Sequence, residues 1–197
     1  MSYYTGRVKD YFFNPRHAGE VEVADAIGDT GSLMCGAVLR LSLKIDAAAR
    51  TVTEAKFKAT GCGFLIAAAN VLAEMVNGLT VGEAGQLSEG TLAETAIVEQ
   101  LRDVPPDRMH CVRLCRDALA AAIKHYRLTT LEEWTGEEAL ICTCFGVSEK
   151  TIEHEIHTRS LRTIRGVTKA CNAGGGCHSC HPLIEDILED YWRRGGL

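Results

Sequence analysis

Nine cysteines in a chain of 197 residues constrain this protein more than any other feature. They stand at positions 35, 62, 111, 115, 142, 144, 171, 177 and 180, and an odd number cannot all pair within one chain. The opening stretch MSYYTGRVKD lacks the apolar core of a secretory signal. The expected compartment is therefore the cytoplasm, where clustered thiols bind metal or carry out redox chemistry more often than they form disulfides. The longest apolar run, Leu65 to Val76, is interrupted by Glu74 and falls well short of the roughly 20 residues needed to cross a bilayer. A formal net charge of −5 argues against a nucleic-acid partner. Hydrophobic content of 46% with 24% charged residues is the balance of a globular protein.

Charge and composition divide the chain. Residues 1–128 carry 14 Lys/Arg against 15 Asp/Glu, whereas residues 129–197 carry 7 against 11. Between them TTLEEWTGEE (129–138) reads as an acidic linker. Three segments are expected: a first domain over 1–128, the linker, and a second domain over 139–197.

In the first domain VLRLSLKID (38–46) alternates, with Leu39, Leu41, Leu43 and Ile45 opposite Arg40, Ser42 and Lys44. That period of two predicts a half-buried strand. TVTEAKFKAT (51–60) predicts a second, with Thr53, Ala55 and Phe57 on the inner face, and the short connection predicts a hairpin. After Gly61-Cys62-Gly63 the spacing of Leu65, Ala68, Leu72 and Met75 predicts a helix. A last helix from Met109 to about Tyr126 sets Cys111, Leu114, Cys115, Ala118 and Ala122 on one stripe. The expected class is α+β, a small antiparallel sheet packed with helices.

The second domain reads as all-α. Ser148 and Thr163 suit helix N-caps, and Pro182 suits the first turn of a final helix with Leu183, Ile187 and Tyr191 on one side. A module this small usually needs a metal to hold it together. Cys142-Thr143-Cys144 and Cys177-His178-Ser179-Cys180 bracket it. Four thiolates in two close pairs suit a tetrahedral zinc or a 2Fe–2S cluster, and the C-x-C spacing favours the cluster over structural zinc. Gly174-Gly175-Gly176 lets backbone N–H groups approach the sulfurs. Cys171 reads as a packed residue at the end of the preceding helix.

In the first domain Cys35, Cys62 and Cys111 are far apart in sequence, but each is expected at the edge of an element. Helix N-termini favour thiolates. With His110 adjacent, the three make a candidate site for iron, zinc or sulfur transfer. Cys115, one turn beyond Cys111, reads as core.

NPRHAG (14–19), the cysteines in Cys35-Gly36, TGCG (60–63) and PPDRMHC (105–111), and KACNAGGGCHSCH (169–181) together carry a resemblance. Residues 1–127 resemble the NifU and IscU iron–sulfur scaffold proteins. The C-x-C…C-x-x-C module resembles the bacterioferritin-associated-ferredoxin-like domain of NifU. Proteins of that kind usually carry a third domain with a further C-x-x-C. Ending at Leu197, the chain is expected to be a fragment or a shorter form.

The resemblance implies a scaffold and carrier and not an enzyme. Cys35, Cys62 and Cys111 would hold a labile 2Fe–2S or 4Fe–4S cluster, with zinc able to stand in for iron, and His110, beside Cys111, is read from the residues as a further metal ligand. Cys142, Cys144, Cys177 and Cys180 would hold a permanent 2Fe–2S centre. Implied partners are a NifS-like cysteine desulfurase, recipient apo-proteins such as the nitrogenase iron protein, and a second copy of the chain in a homodimer.

One position departs from the family pattern C-G-D: this chain reads Cys35-Gly36-Ala37. Losing a hard, exchangeable oxygen ligand predicts a more persistent cluster and slower transfer. The fourth ligand would then be His110, Cys115 or a group from a second subunit. Two other classes stay open on sequence alone: an electron-transfer protein in which the first domain is a docking platform, and a zinc-binding interaction protein with both sites structural.

Overall fold

Leu39, Leu41, Leu43 and Ile45 commit the middle of the first domain to a strand with one buried side, and a sheet grows on both edges of it. In the computed structural model the residues described are 4, 6–47, 49–102, 104–130 and 138–195. By their contacts they form two compact units, Met1–Tyr126 and Arg127–Leu197. Of the expected linker, residues 131–137 lie outside the described residues.

The first unit opens with α1 (Gly6–Phe13), followed by β1 (Ala26–Ser32), β2 (Ala37–Asp46) and β3 (Thr51–Thr60). The sheet is antiparallel in the order β1-β2-β3. β1 and β3 both run towards the end of the sheet at which β2 begins. The β1–β2 turn and the exit from β3 therefore share that end, while the β2–β3 turn lies at the other.

The alternation has two local exceptions. Ser42, expected on the solvent side, is buried: its hydroxyl accepts from Val21 N at 3.1 Å and donates to the Lys56 carbonyl at 3.2 Å. The chain before β1 covers that face and uses the hydroxyl as its anchor. The inner face expected for β3 also changes phase. Lys44 pairs with Glu54 but Ile45 pairs with Val52, so Thr53 is one residue too many; Val52 is buried and Thr53 exposed. Such a bulge shifts every side chain beyond it to the opposite face.

Helices cover the apolar side. α2 (Gly63–Val76) is apolar nearly all round and accordingly buried nearly all round, which accounts for the run from Leu65 to Val76. α1 and α4 (Leu92–Leu101) pack on it. α3 (Val81–Ser88) starts with a capping box between Thr80 and Glu83. α5 (Met109–Thr130) buries the stripe expected of it, including Cys111, Cys115, Ala118 and Ala122.

The second unit contains α6 (Glu149–Arg159), α7 (Ile164–Cys171) and α8 (His181–Arg193). Ser148 Oγ accepts from Thr151 N and Thr163 Oγ1 from Gly166 N, so both expected N-caps are made. The module is helical as expected, with one short addition. Leu140–Cys142 (β4) and Val147–Ser148 (β5) form a two-stranded antiparallel ladder ahead of α6, too short to leave a periodicity. The inner face of α8 is also set one residue on from the expected stripe: Ile184 and Leu188 are buried, whereas Leu183 is largely exposed. They pack with Ile152, Ile156 and Val167. Trp192 Nε1 donates to the Leu161 carbonyl at 2.8 Å and ties α8 to the α6–α7 connection.

Candidate metal centres

The first site is assembled by the end of the sheet at which β1 and β3 stop. Cys35 lies in the turn between β1 and β2, where Gly36 has a left-handed φ of 67° and its N–H bonds the Ser32 carbonyl at 2.8 Å. Leu33 and Met34 beside it are fully exposed. Cys62 follows β3 and is the N-cap of α2. His110 and Cys111 lie in the first turn of α5.

Three segments distant in sequence thus bring four candidate ligand atoms into one string. Cys35 Sγ is 3.8 Å from His110 Nε2, His110 Nε2 is 3.4 Å from Cys111 Sγ, and Cys111 Sγ is 3.6 Å from Cys62 Sγ. Two thiolates on one tetrahedral ion, with bonds of about 2.3 Å, stand about 3.8 Å apart, so the Cys62–Cys111 spacing already suits a shared metal. Among the described residues no group of three or more His, Cys, Asp and Glu side chains is closed into a cage around one ion. The string is open on the Cys35 side. His110 Nδ1 lies 3.0 Å from the Asp107 carbonyl. A carbonyl only accepts, so Nδ1 carries the proton and the Nε2 lone pair faces the thiols.

The thiols differ in acidity. Cys62 is lowered to about 5, first by the hydrogen bond from the Cys111 thiol, against burial, and further by backbone N–H groups of Leu65 and Phe64 at the start of α2 and the charge of Arg108. The same bond pushes Cys111 up, and burial adds to it. At neutral pH the pair is therefore a Cys62 thiolate held by a Cys111 thiol. Cys35 is lowered by the Ser32 side chain and then by the Ala37 backbone. Ser32 and Arg108 were not singled out in the sequence; only their places beside Cys35 and in PPDRMHC pointed to them.

Cys115 is fully buried in the core and burial pushes its thiol up. Of the protein's own candidates for a fourth ligand, the fold brings His110, not Cys115, to the three thiols. Ala37 opens β2 almost fully buried, and its methyl carbon would lie 3.4 Å from a Cβ at Gly61.

In the second unit the C-x-C and C-x-x-C ends meet. Cys144 Sγ and Cys177 Sγ are 3.3 Å apart, and the free thiols of Cys142 and Cys180 are hydrogen-bonded to each other. Each pair therefore takes one sulfur from either end of the module, a donor set that suits a group requiring four thiolates. A Cβ at Gly176 would fall 3.0 Å from Cys144 Cβ and 3.1 Å from its Sγ, so any larger residue there requires Cys144 to give way by a few tenths of an ångström. Cys177 is lowered to about 7 by the Ser179 hydroxyl and then by the Ser179 backbone, while burial raises Cys144. Burial and then the neighbouring Cys142 raise Cys180 to about 11, opposed by the Gly174 backbone. Cys171 Sγ is spent on the Val167 carbonyl inside α7, at 3.3 Å. His178 and His181 stack at 4.7 Å, and His181 Nε2 is 2.8 Å from the Gly174 carbonyl.

Residues 3–133 match the family described as NifU-like N terminal domain. The chain belongs to that family. Residues 140–190 match a second family, the BFD-like [2Fe-2S] binding domain. Among curated NifU relatives, a "Nitrogen fixation protein NifU" from Azotobacter chroococcum mcd 1 is 39% identical over 187 residues, covering 95% of this chain and 59% of that protein. The chain thus spans about three-fifths of that relative's length. An "Iron-sulfur cluster assembly scaffold protein IscU 1" from Archaeoglobus fulgidus is 34% identical over 123 residues, 62% of this chain and 76% of that protein. The crystal structure of the N-terminal part of a NifU-like protein from Brucella abortus covers 64% of this chain and 95% of its own, at 23% identity and a TM-score of 0.48. Among the described residues no helix is long and apolar enough to cross a membrane.

Proposed function

We propose that the chain is an iron–sulfur cluster assembly scaffold. Its first unit gathers iron and sulfur as cargo and passes the finished cluster to apo-proteins. Cys35, Cys62 and Cys111, with His110, are the receiving groups. Exposed Cys35 meets the incoming sulfur donor, a cysteine desulfurase. The Cys62 thiolate is a ready ligand at neutral pH, and Cys111 becomes one when its proton leaves on metal binding. The observation that carries the proposal is the open string of four ligand atoms from Cys35 to Cys62. A stock-holding structural site would be closed on all sides; an open one lets cargo enter and leave.

In the same proposal Cys142, Cys144, Cys177 and Cys180 hold a resident 2Fe–2S centre. That centre would supply or accept single electrons. The protein's own part there is to pair the sulfurs, direct the backbone of Gly174, Cys177 and Ser179 at them, and hold Gly176 clear of Cys144. The NifU relatives are named for nitrogen fixation, and the route proposed for this chain is nitrogenase maturation, with the nitrogenase iron protein among the recipients.

Anaerobic reconstitution tests the proposal. Iron and acid-labile sulfide are measured on the full chain and on a Cys35→Ala, Cys62→Ala, Cys111→Ala variant, with transfer to an apo-ferredoxin followed by its visible absorption. The parent should carry two populations of sulfide, one transferable; the triple variant should keep only the other. A triple variant that transfers as the parent does would remove the first unit from the function.

A further inference from the structure

β1 and the first half of α5 lie side by side and run in opposite directions, and their contacts keep step. At Gly28 a Cβ would fall 2.0 Å from the Ala118 carbonyl oxygen and 2.5 Å from the Ala122 nitrogen. Two residues on, Thr30 Oγ1 donates to the Leu114 carbonyl at 3.1 Å. Past Ser32 the chain turns, and Cys35 Sγ meets His110 Nε2 at 3.8 Å. The strand that delivers Cys35 is thereby in register with the helix that delivers His110 and Cys111.

The atoms facing Gly28 belong to the α5 backbone, which cannot rotate out of the way as a side chain can. An ordinary contact starts at 3.4 Å, so a methyl group there forces β1 and α5 apart by about 1 Å or more. The Cys62–Cys111 separation is 3.6 Å, and two thiolates on one ion stand at most about 4.6 Å apart. A retreat of that size along the line between the two sulfurs uses up the whole allowance.

We propose that Gly28 and Thr30 are positioning residues for the first metal centre. The missing side chain of one and the hydroxyl of the other set α5 at the depth at which Cys111 can share a metal ion with Cys62 and Cys35. This rests on the reading of the first unit as a metal-loading site and adds to it two residues that touch no metal.

Two measurements on the full, metal-free chain test it. In the first, a thiol-oxidising azodicarboxamide joins Cys62 to Cys111, taking up the two hydrogens as the two thiols become one disulfide, and peptide mapping follows the rate. Gly28→Ala should slow this link about tenfold and Thr30→Val about threefold, while Thr30→Ser, which keeps the hydroxyl, matches the parent. In the second, cobalt(II) alone is added and the thiolate-to-metal absorption recorded. The parent minus Cys111→Ala difference defines the Cys111 contribution, the second unit being common to both. The parent minus Gly28→Ala difference should reproduce it.

A purely structural role would lower the melting temperature of Gly28→Ala yet leave the Cys111 band and the linking rate at parent values, and that result overturns the proposal. If Gly28→Ala does not fold by circular dichroism, Thr30→Val against Thr30→Ser decides. If Cys111→Ala leaves the parent cobalt spectrum unchanged, the metal-loading reading fails, and the linking rates still decide whether Gly28 and Thr30 place Cys111.

Discussion

Replacing Cys111 with alanine removes the donor that does most to hold Cys62 as a thiolate. Without it the remaining influences on Cys62 oppose one another, burial against the α2 backbone and Arg108, and the thiol returns towards about 8.5, the ordinary value. At pH 7 a thiol with a value of about 5 is ~99% ionised, whereas one at 8.5 is ~3% ionised, a loss of ~30-fold in thiolate. Nucleophilicity changes the other way: with a Brønsted slope of about 0.45, the more basic thiolate is ~40-fold more reactive. The two nearly cancel. The expected result is a rate of Cys62 alkylation at pH 7 that barely moves, with a pH profile that moves by more than three units. In the parent the lowered value keeps Cys62 ionised above pH 5, so the rate is flat from pH 6 to 9 and falls as pH drops through about 5. In Cys111→Ala it should climb nearly tenfold per unit up to about pH 8.5. Cys111→Ser keeps a donor and should stay close to the parent. The assay is iodoacetamide labelling of the metal-free chain, read on the Cys62 peptide by mass spectrometry. A Cys111→Ala profile with its inflection still near 5 would refute the account of the pair.

Three further outcomes follow from the same geometry. Ala37→Asp places an exchangeable oxygen ligand next to Cys35 and should speed cluster transfer to an apo-ferredoxin severalfold; equal rates in both forms refute the reading of position 37. Gly176→Ala sets a methyl group against Cys144, whose Sγ would be only 3.1 Å away. It should cut the iron and sulfide retained by the second unit while leaving the first unit's transferable share intact, both read by chemical analysis after gel filtration. Ile184→Ala, at a fully buried position in the second unit's small core, should cost about 2–5 kcal/mol in urea unfolding followed by Trp fluorescence, and a change under 1 kcal/mol would contradict the packing described.

The chemistry was more legible than the fold. C-x-C and C-x-x-C each place two sulfurs within reach of one another by covalent spacing alone, and the glycines before Cys177 announce a close backbone approach. His110 was visible as the neighbour of Cys111, but its Nε2 facing Cys35 depends on the Asp107 carbonyl, which no spacing encodes. The β2–β3 hairpin was written in its alternation. β1 was not: AIGDTGS has two glycines and an aspartate in seven residues, and its strand conformation comes from pairing with β2 and lying against α5. The phase of β3 was lost for a different reason, because one surplus residue at Thr53 is invisible until the partner strand is known. For α8 the apolar residues Leu183, Ile184, Ile187 and Leu188 serve two neighbouring stripes equally well, and only the packing against Ile152 and Ile156 chooses between them.

The polarity of the sheet has a practical consequence. The reactive end is where β1 and β3 arrive, so the turn joining β2 to β3 sits a full strand of ten residues away, about 30 Å at the rise of an extended chain. That turn is held locally, by Ala49 N donating to Asp46 Oδ1 at 2.8 Å. A fluorophore or an affinity handle grafted between Asp46 and Arg50 would ride on the same sheet as the thiols while staying clear of the opposite end, where they lie. The molecule thus offers a built-in place from which to watch the state of those thiols.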